Sequence, residues 1–96
     1  MDILFHVGTA AGGRLLYPLL LAAARAGCRC GAFFTHEGVL GLRDADLAKA
    51  LGRIERATVC EESWHTFCPG VHCPVEAGSQ TTNSAMMGAA KKVVSL

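Results

Sequence analysis

The sequence lacks any run of basic residues, and its formal net charge is only +1. Nucleic-acid partners require a positive patch or stripe to meet their phosphates, so that class of function is set aside. It also lacks an apolar stretch near the roughly 20 residues of a membrane span; the most apolar segment runs only from Leu15 to Ala24. There is no internal repeat, low-complexity tract or break in composition, so residues 1–96 read as one domain. The five cysteines are an odd number and do not form a secreted disulfide framework. LLYPLLLAAARAGC looks like a signal core before a modified cysteine. However, no base precedes Arg14, and Arg25 stands where such a cleavage site wants an aliphatic residue. A reducing cytoplasm is therefore expected, where thiols stay free unless chemistry recruits them.

Specific ligand templates are missing too. GTAAGGR follows an apolar run, but Arg14 and Leu15 stand where a phosphate loop needs Lys and Ser/Thr. Ala10 breaks the dinucleotide pattern after Gly8, leaving a tight β–α turn as the favoured reading and an anion near Arg14 as the other. THEGV fails the zinc-protease pattern, because Leu40 stands where its second histidine would fall, after Val39. The zinc-deaminase signature and the serine-hydrolase elbow are also absent.

What is present is apolar: 51% hydrophobic residues against 18% charged. A chain of this mass buries only about 64% of its unfolded surface. More apolar side chains than one small core can hide imply a subunit interface. Along the chain, ILFHV predicts a buried strand and RLLYPLLLAAARAG a helix stopped by Gly27. Pro18 predicts that this helix starts near Tyr17 or is kinked. CRCGAFF reads as a second strand, with Cys28 and Cys30 on one side as small buried hydrophobes. THEGVLGLRD reads as a loop, and DADLAKALGRIE as a helix capped by Asp44 or Asp46. ATVC is a short strand. CEESWHTFCPGVHCPVEAG has too many turn formers for a long element, although VHCPV allows a short extended piece. GSQTTNSAMMGAAKK gives a final helix capped by Ser79, and KVVSL a last strand. The alternation predicts an α/β fold, with chemistry at the carboxyl ends of parallel strands.

The stretch from Cys60 to Pro74, CEESWHTFCPGVHCP, holds three cysteines, two histidines and the only tryptophan. Three readings follow. Cys60, His65, Cys68 and Cys73, with His72 beside them, have spacings within the range of structural zinc ligands. Two residues between the pairs leave little room for a supporting element, and Pro69 and Pro74 restrict the wrap. Alternatively, Cys68 and Cys73 form a small disulfide loop around Pro69-Gly70. In the third reading, Cys60 is a reactive thiol where a buried strand meets solvent. Glu61 and Glu62 oppose its ionisation, whereas a nearby protonated His36, His65 or His72 favours it. His36 itself lies at the end of the second strand, an edge from which it can face Cys60.

In their order, ILFHVG, AFFTHEGV, ATVCEES and GSQTTNSAMMGAAKKVVSL resemble the DsrE/TusD family of small sulfur-relay proteins along essentially the whole chain. That resemblance implies a three-layer α/β/α sandwich around a mainly parallel sheet of four or five strands. It implies homomeric or heteromeric trimers or hexamers, and matches Cys60 to the sulfur-carrying cysteine. The family's cysteine-bearing members accept sulfane sulfur as a persulfide and hand it to a partner thiol, with no metal or organic cofactor. Two features depart from the family. The chain is short around the second helix, and SWHTFCPGVHCP replaces the usual basic, alanine-rich turn. Cys60 is thus the expected carrier, with Cys68 and Cys73 as second thiols and His36 as a helper. The partners expected are sulfur donor and acceptor proteins. The alternatives are a Cys/His metal-binding module and a non-catalytic subunit of a DsrE-like oligomer.

Overall fold

The computed structural model describes all 96 residues. Five strands form one parallel sheet: β1 (Ile3–Val7), β2 (Cys30–Phe34), β3 (Arg56–Cys60), β4 (Glu76–Gly78) and β5 (Lys92–Ser95), in the order β4-β3-β2-β1-β5. The helices are α1 (Ala10–Arg25), α2 (Ala45–Leu51), α3 (Glu61–Phe67) and α4 (Gln80–Ala89), with a 3-10 segment over His36–Arg43. Steps from β1 to β4 all run one way across the sheet. Right-handed crossovers therefore place α1, the 3-10 segment, α2 and α3 on one face. The return from β4 to β5 runs the other way and puts α4 on the opposite face. The result is the three-layer α/β/α sandwich with an all-parallel sheet.

Strand alternation divides the apolar residues between the two faces. Phe5, Val7, Ala32, Phe34 and Val59 pack beneath Leu16 and Leu20 of α1, Leu47 of α2 and Trp64 of α3. On the other face, Leu4, Phe33 and Cys60 meet Met86 of α4 in a smaller cluster. All five residues of central β2 are buried, as a strand covered on both sides requires. Edge strand β5 is exposed throughout. At the other edge, Arg56 forks onto Glu76 at 2.8 and 3.3 Å, and this contact raises the arginine pKa and lowers the carboxyl pKa.

Several expected boundaries are corrected. Helix α1 begins at Ala10 and carries Pro18 in its interior. Pro18 and Arg14, whose carbonyl the ring leaves without a donor, both lie on the exposed side, so the missing bond is left facing solvent and not the core. Thr9 caps the helix by accepting from the Gly12 N–H at 2.9 Å. The expected loop after β2 is the 3-10 segment, and Asp44 rather than Asp46 caps α2, accepting from the Asp46 N–H at 3.0 Å. The turn-rich stretch after Cys60 begins as helix α3. Trp64 anchors the chain leaving it, donating from Nε1 to the Val71 carbonyl at 2.9 Å. Ser79 caps α4 through a capping box with Thr82.

One close approach positions the segment that follows β2. A Cβ on Gly38 would fall 2.2 Å from the Val7 carbonyl oxygen, so only glycine lets the 3-10 segment lie against the end of β1. The preceding Thr35 N–H donates to the same carbonyl at 2.9 Å. Between them, His36 adopts φ 51°, a left-handed conformation unfavourable for a residue with a side chain. Its backbone N–H is held by Ser63 Oγ at 2.9 Å.

Candidate functional site

Cys60 ends β3 and is also the residue from which α3 starts. Parallel pairing puts the ends of β2, β3 and β4 side by side, so three connections open around it. The exit of β2 supplies Thr35 and His36. The first turn of α3 supplies Ser63. The start of α4, immediately after β4, supplies Gln80. These residues form one hydrogen-bonded group. Thr35 Oγ1 lies 3.0 Å from His36 Nδ1 and 3.4 Å from Ser63 Oγ. The Gln80 amide donates to Thr35 Oγ1 at 3.3 Å, and Asn83 Nδ2 donates to Gln80 Oε1 at 3.5 Å.

Beneath this polar layer the Cys60 side chain rests on Leu4, Phe33 and Met86. The thiol therefore has an apolar floor and a donor-rich roof. Burial alone pushes a thiol pKa up. That effect operates here, but the Ser63 hydroxyl and backbone N–H, the Gln80 amide and the Thr35 hydroxyl together overcome it and hold the Cys60 pKa below its ordinary value. The uncharged sulfur makes no capping hydrogen bond to α3; the donors favour the thiolate. Cys30 provides the contrast. Burial pushes its thiol up, nearby Cys28 and Asp2 add to the rise, and it has no comparable donors.

Cys60 stands at the strand end where the sequence places it, but the expected opening to solvent is corrected. Only 7% of the residue is exposed. The groups over it, Thr35, Ser63 and Gln80, come from separate connections, and Gln80 is exposed. The expected role for a protonated histidine is met instead by neutral donors. His36 is linked to the site through Thr35 and Ser63. His65 points to Glu61 at 3.6 Å, which also turns that carboxylate outward, and His72 is exposed.

Cys68 and Cys73 are not brought to Cys60. Cys68 is 3% exposed and belongs with Trp64 to the core on the opposite face of the sheet. Cys73 packs against that core and directs its thiol to the Val75 carbonyl at 3.3 Å. The physical cause lies in α3 and its exit: the helix and the Trp64 anchor carry the chain away from Cys60. All five cysteines are free thiols, so Cys68 and Cys73 do not form the disulfide loop. No three His, Cys, Asp or Glu side chains converge on a point where they could share a metal ion. No helix is long and apolar enough to cross a membrane. A cavity of about 640 Å³ lies away from Cys60, between α1 and α2.

Thr35, Ser63 and Gln80 are the site residues that spacing did not reveal. The available signal was indirect: each stands within three residues of a strand's carboxyl end, where parallel sheets gather chemistry. No protein-family model, curated protein or solved structure matches the chain.

Proposed function

We propose that this chain is a sulfur carrier of the reducing cytoplasm that holds sulfane sulfur on Cys60 as a persulfide and passes it to a partner thiol. The observation that carries this reading is the set of neutral donors around Cys60, which favours thiolate on an apolar floor without a fixed cation. A thiolate is the nucleophile in sulfur exchange, and donors of this kind also suit the anionic outer sulfur of a persulfide.

The exchange balances without an oxidant or reductant. Cys60 thiolate attacks the outer sulfur of a donor persulfide; a new S–S bond forms, the donor's S–S bond breaks, and its electron pair leaves on the donor thiolate. An acceptor thiolate then attacks the outer sulfur on Cys60, and the same heterolysis restores the Cys60 thiolate. The 7% exposure requires the side chains over the thiol, among them exposed Gln80, to move aside for each partner. Exposed Leu15, Val93 and Val94 offer apolar surface for a trimer or hexamer of this chain or a relative.

Peptide-resolved mass spectrometry after treatment with a persulfide donor tests the proposal. The expected result is an adduct of about 32 Da on Cys60 that a thiol acceptor removes, with Cys60→Ser unable to load there. An unlabelled Cys60, or equal loading of Cys60→Ser elsewhere, overturns it. Ordinary alkylation kinetics at Cys60 with no sulfur bound would instead identify a structural subunit.

A further inference from the structure

We propose that the groove between α1 and α2 binds a small organic anion with an apolar body and a carboxylate head, such as a medium-chain carboxylate. The groove lies at the amino end of the sheet, bounded by the carboxyl half of α1, the start of β2 and helix α2. Its volume of about 640 Å³ is within the range of small-molecule sites, roughly 300–1,000 Å³. Eight of its thirteen lining residues are hydrophobic, with Leu20, Leu21, Ala24, Ala50 and Ile54 giving an aliphatic lining suited to a flexible chain.

The charges select the head group. Three cations, Arg29, Lys49 and Arg53, line the groove against two acids, Asp46 and Glu55. Glu55 is already engaged by Arg29 at 3.7 Å and by the Met1 amino group at 3.5 Å. Lys49 and Arg53 form no ion pair within 4.0 Å, although both stand at the mouth of an apolar groove. Lys49 lies on α2 and Arg53 just past its end, and either an ammonium or a guanidinium fork matches a carboxylate. Asp46 adds a negative charge on the same rim, which disfavours a doubly charged phosphate more than a single carboxylate. Half-buried Cys28 lies in the lining and reports occupancy, because a bound chain would shield its thiol. This inference is independent of the Cys60 chemistry.

Titration of the full chain with dodecanoate, followed by amide NMR shifts, tests it. The expected result is saturable one-to-one binding with shifts concentrated in α1, Cys28 to Cys30 and α2, and slower alkylation of Cys28. Lys49→Glu/Arg53→Glu should weaken binding at least tenfold without changing the melting temperature, and methyl dodecanoate should bind at least tenfold more weakly than the acid. Ala50→Leu, which fills the groove from one side, gives an independent check and should also weaken binding. Absence of saturation, or dodecanoate binding by the charge-reversal variant equal to the parent's, overturns the proposal. Two other outcomes overturn it as well: binding to phosphatidylglycerol vesicles without binding of the free acid would identify a membrane surface, and self-association abolished by the same variant would identify a subunit contact.

Discussion

Replacing Ser63 by alanine isolates the donor roof over Cys60. The substitution removes one hydroxyl that favours the thiolate, while the Ser63 backbone N–H, Gln80 and Thr35 remain. A hydrogen bond to a charged group is worth about 1.5–3 kcal/mol, and the lower end suits sulfur as a weak acceptor. About 1.4 kcal/mol corresponds to a factor of ten in the ionisation equilibrium, so the thiolate fraction below the native pKa should fall about tenfold. The assay is the rate of iodoacetamide labelling of the Cys60 peptide as a function of pH. The parent should show its inflection below the ordinary thiol range; Ser63→Ala should move it upward and slow labelling about tenfold on the acidic side. Ser63 also holds the His36 backbone N–H at 2.9 Å, so the variant should lose about 1 kcal/mol of stability by urea unfolding. Thr66→Ala is the control: its hydroxyl donates to the Glu62 carbonyl at 3.0 Å and is exposed, so the Cys60 inflection should stay in place. An unchanged or lowered inflection in Ser63→Ala would refute the donor account.

Other outcomes follow from the same geometry. Because the native Cys60 pKa is lowered, its contribution to stability is present above the unfolded-state pKa and lost as pH falls through the native value. The stability difference between the parent and Cys60→Ala should therefore grow as pH rises from the native pKa towards about 9, and urea titrations showing it shrink across that window would contradict the assignment. Gly38→Ala must push a methyl into the Val7 carbonyl, so it should destabilise by about 3 kcal/mol in urea unfolding and disturb Cys60 labelling as well. Cys68→Ala should leave sulfur loading of Cys60 unchanged, because Cys68 lies across the sheet; a lost adduct by mass spectrometry would restore it as a relay thiol. Ser79→Ala breaks the capping box and should reduce stability by about 1 kcal/mol, measured by thermal melting, while loosening Gln80 over the thiol.

The alternation of strand and helix was legible because apolar periodicity and glycine or aspartate punctuation act locally. ILFHV, the Ser79 cap and the closing strand needed only neighbouring residues to be read. Pro18 left a start near Tyr17 and a longer helix both open for α1, because its effect depends on whether the deprived carbonyl faces solvent, which sequence does not display. Helix α3 was hidden by the turn-forming residues that follow it and is secured by Trp64 reaching Val71. The place of Cys60 at a strand end was legible because ATVC is a short apolar run closed by charged residues. Thr35, Ser63 and Gln80 were not: hydroxyl and amide residues are common, and their convergence across 45 residues depends on sheet register. The same dependence separated Cys68 from Cys60 despite their proximity in sequence, since a helix intervenes.

The single helix on the second face has a consequence for how this molecule comes into being. A nascent chain emerging from its amino end can lay down four strands and clothe one side of them while the other side is still naked. Residue 60 then waits uncovered until α4 spans β3, β2 and β1 and delivers β5 to its edge. Cys60 is thus among the last residues of the sheet to be sheltered, and a fluctuation that lifts one ten-residue helix would return it to its newborn, unprotected condition.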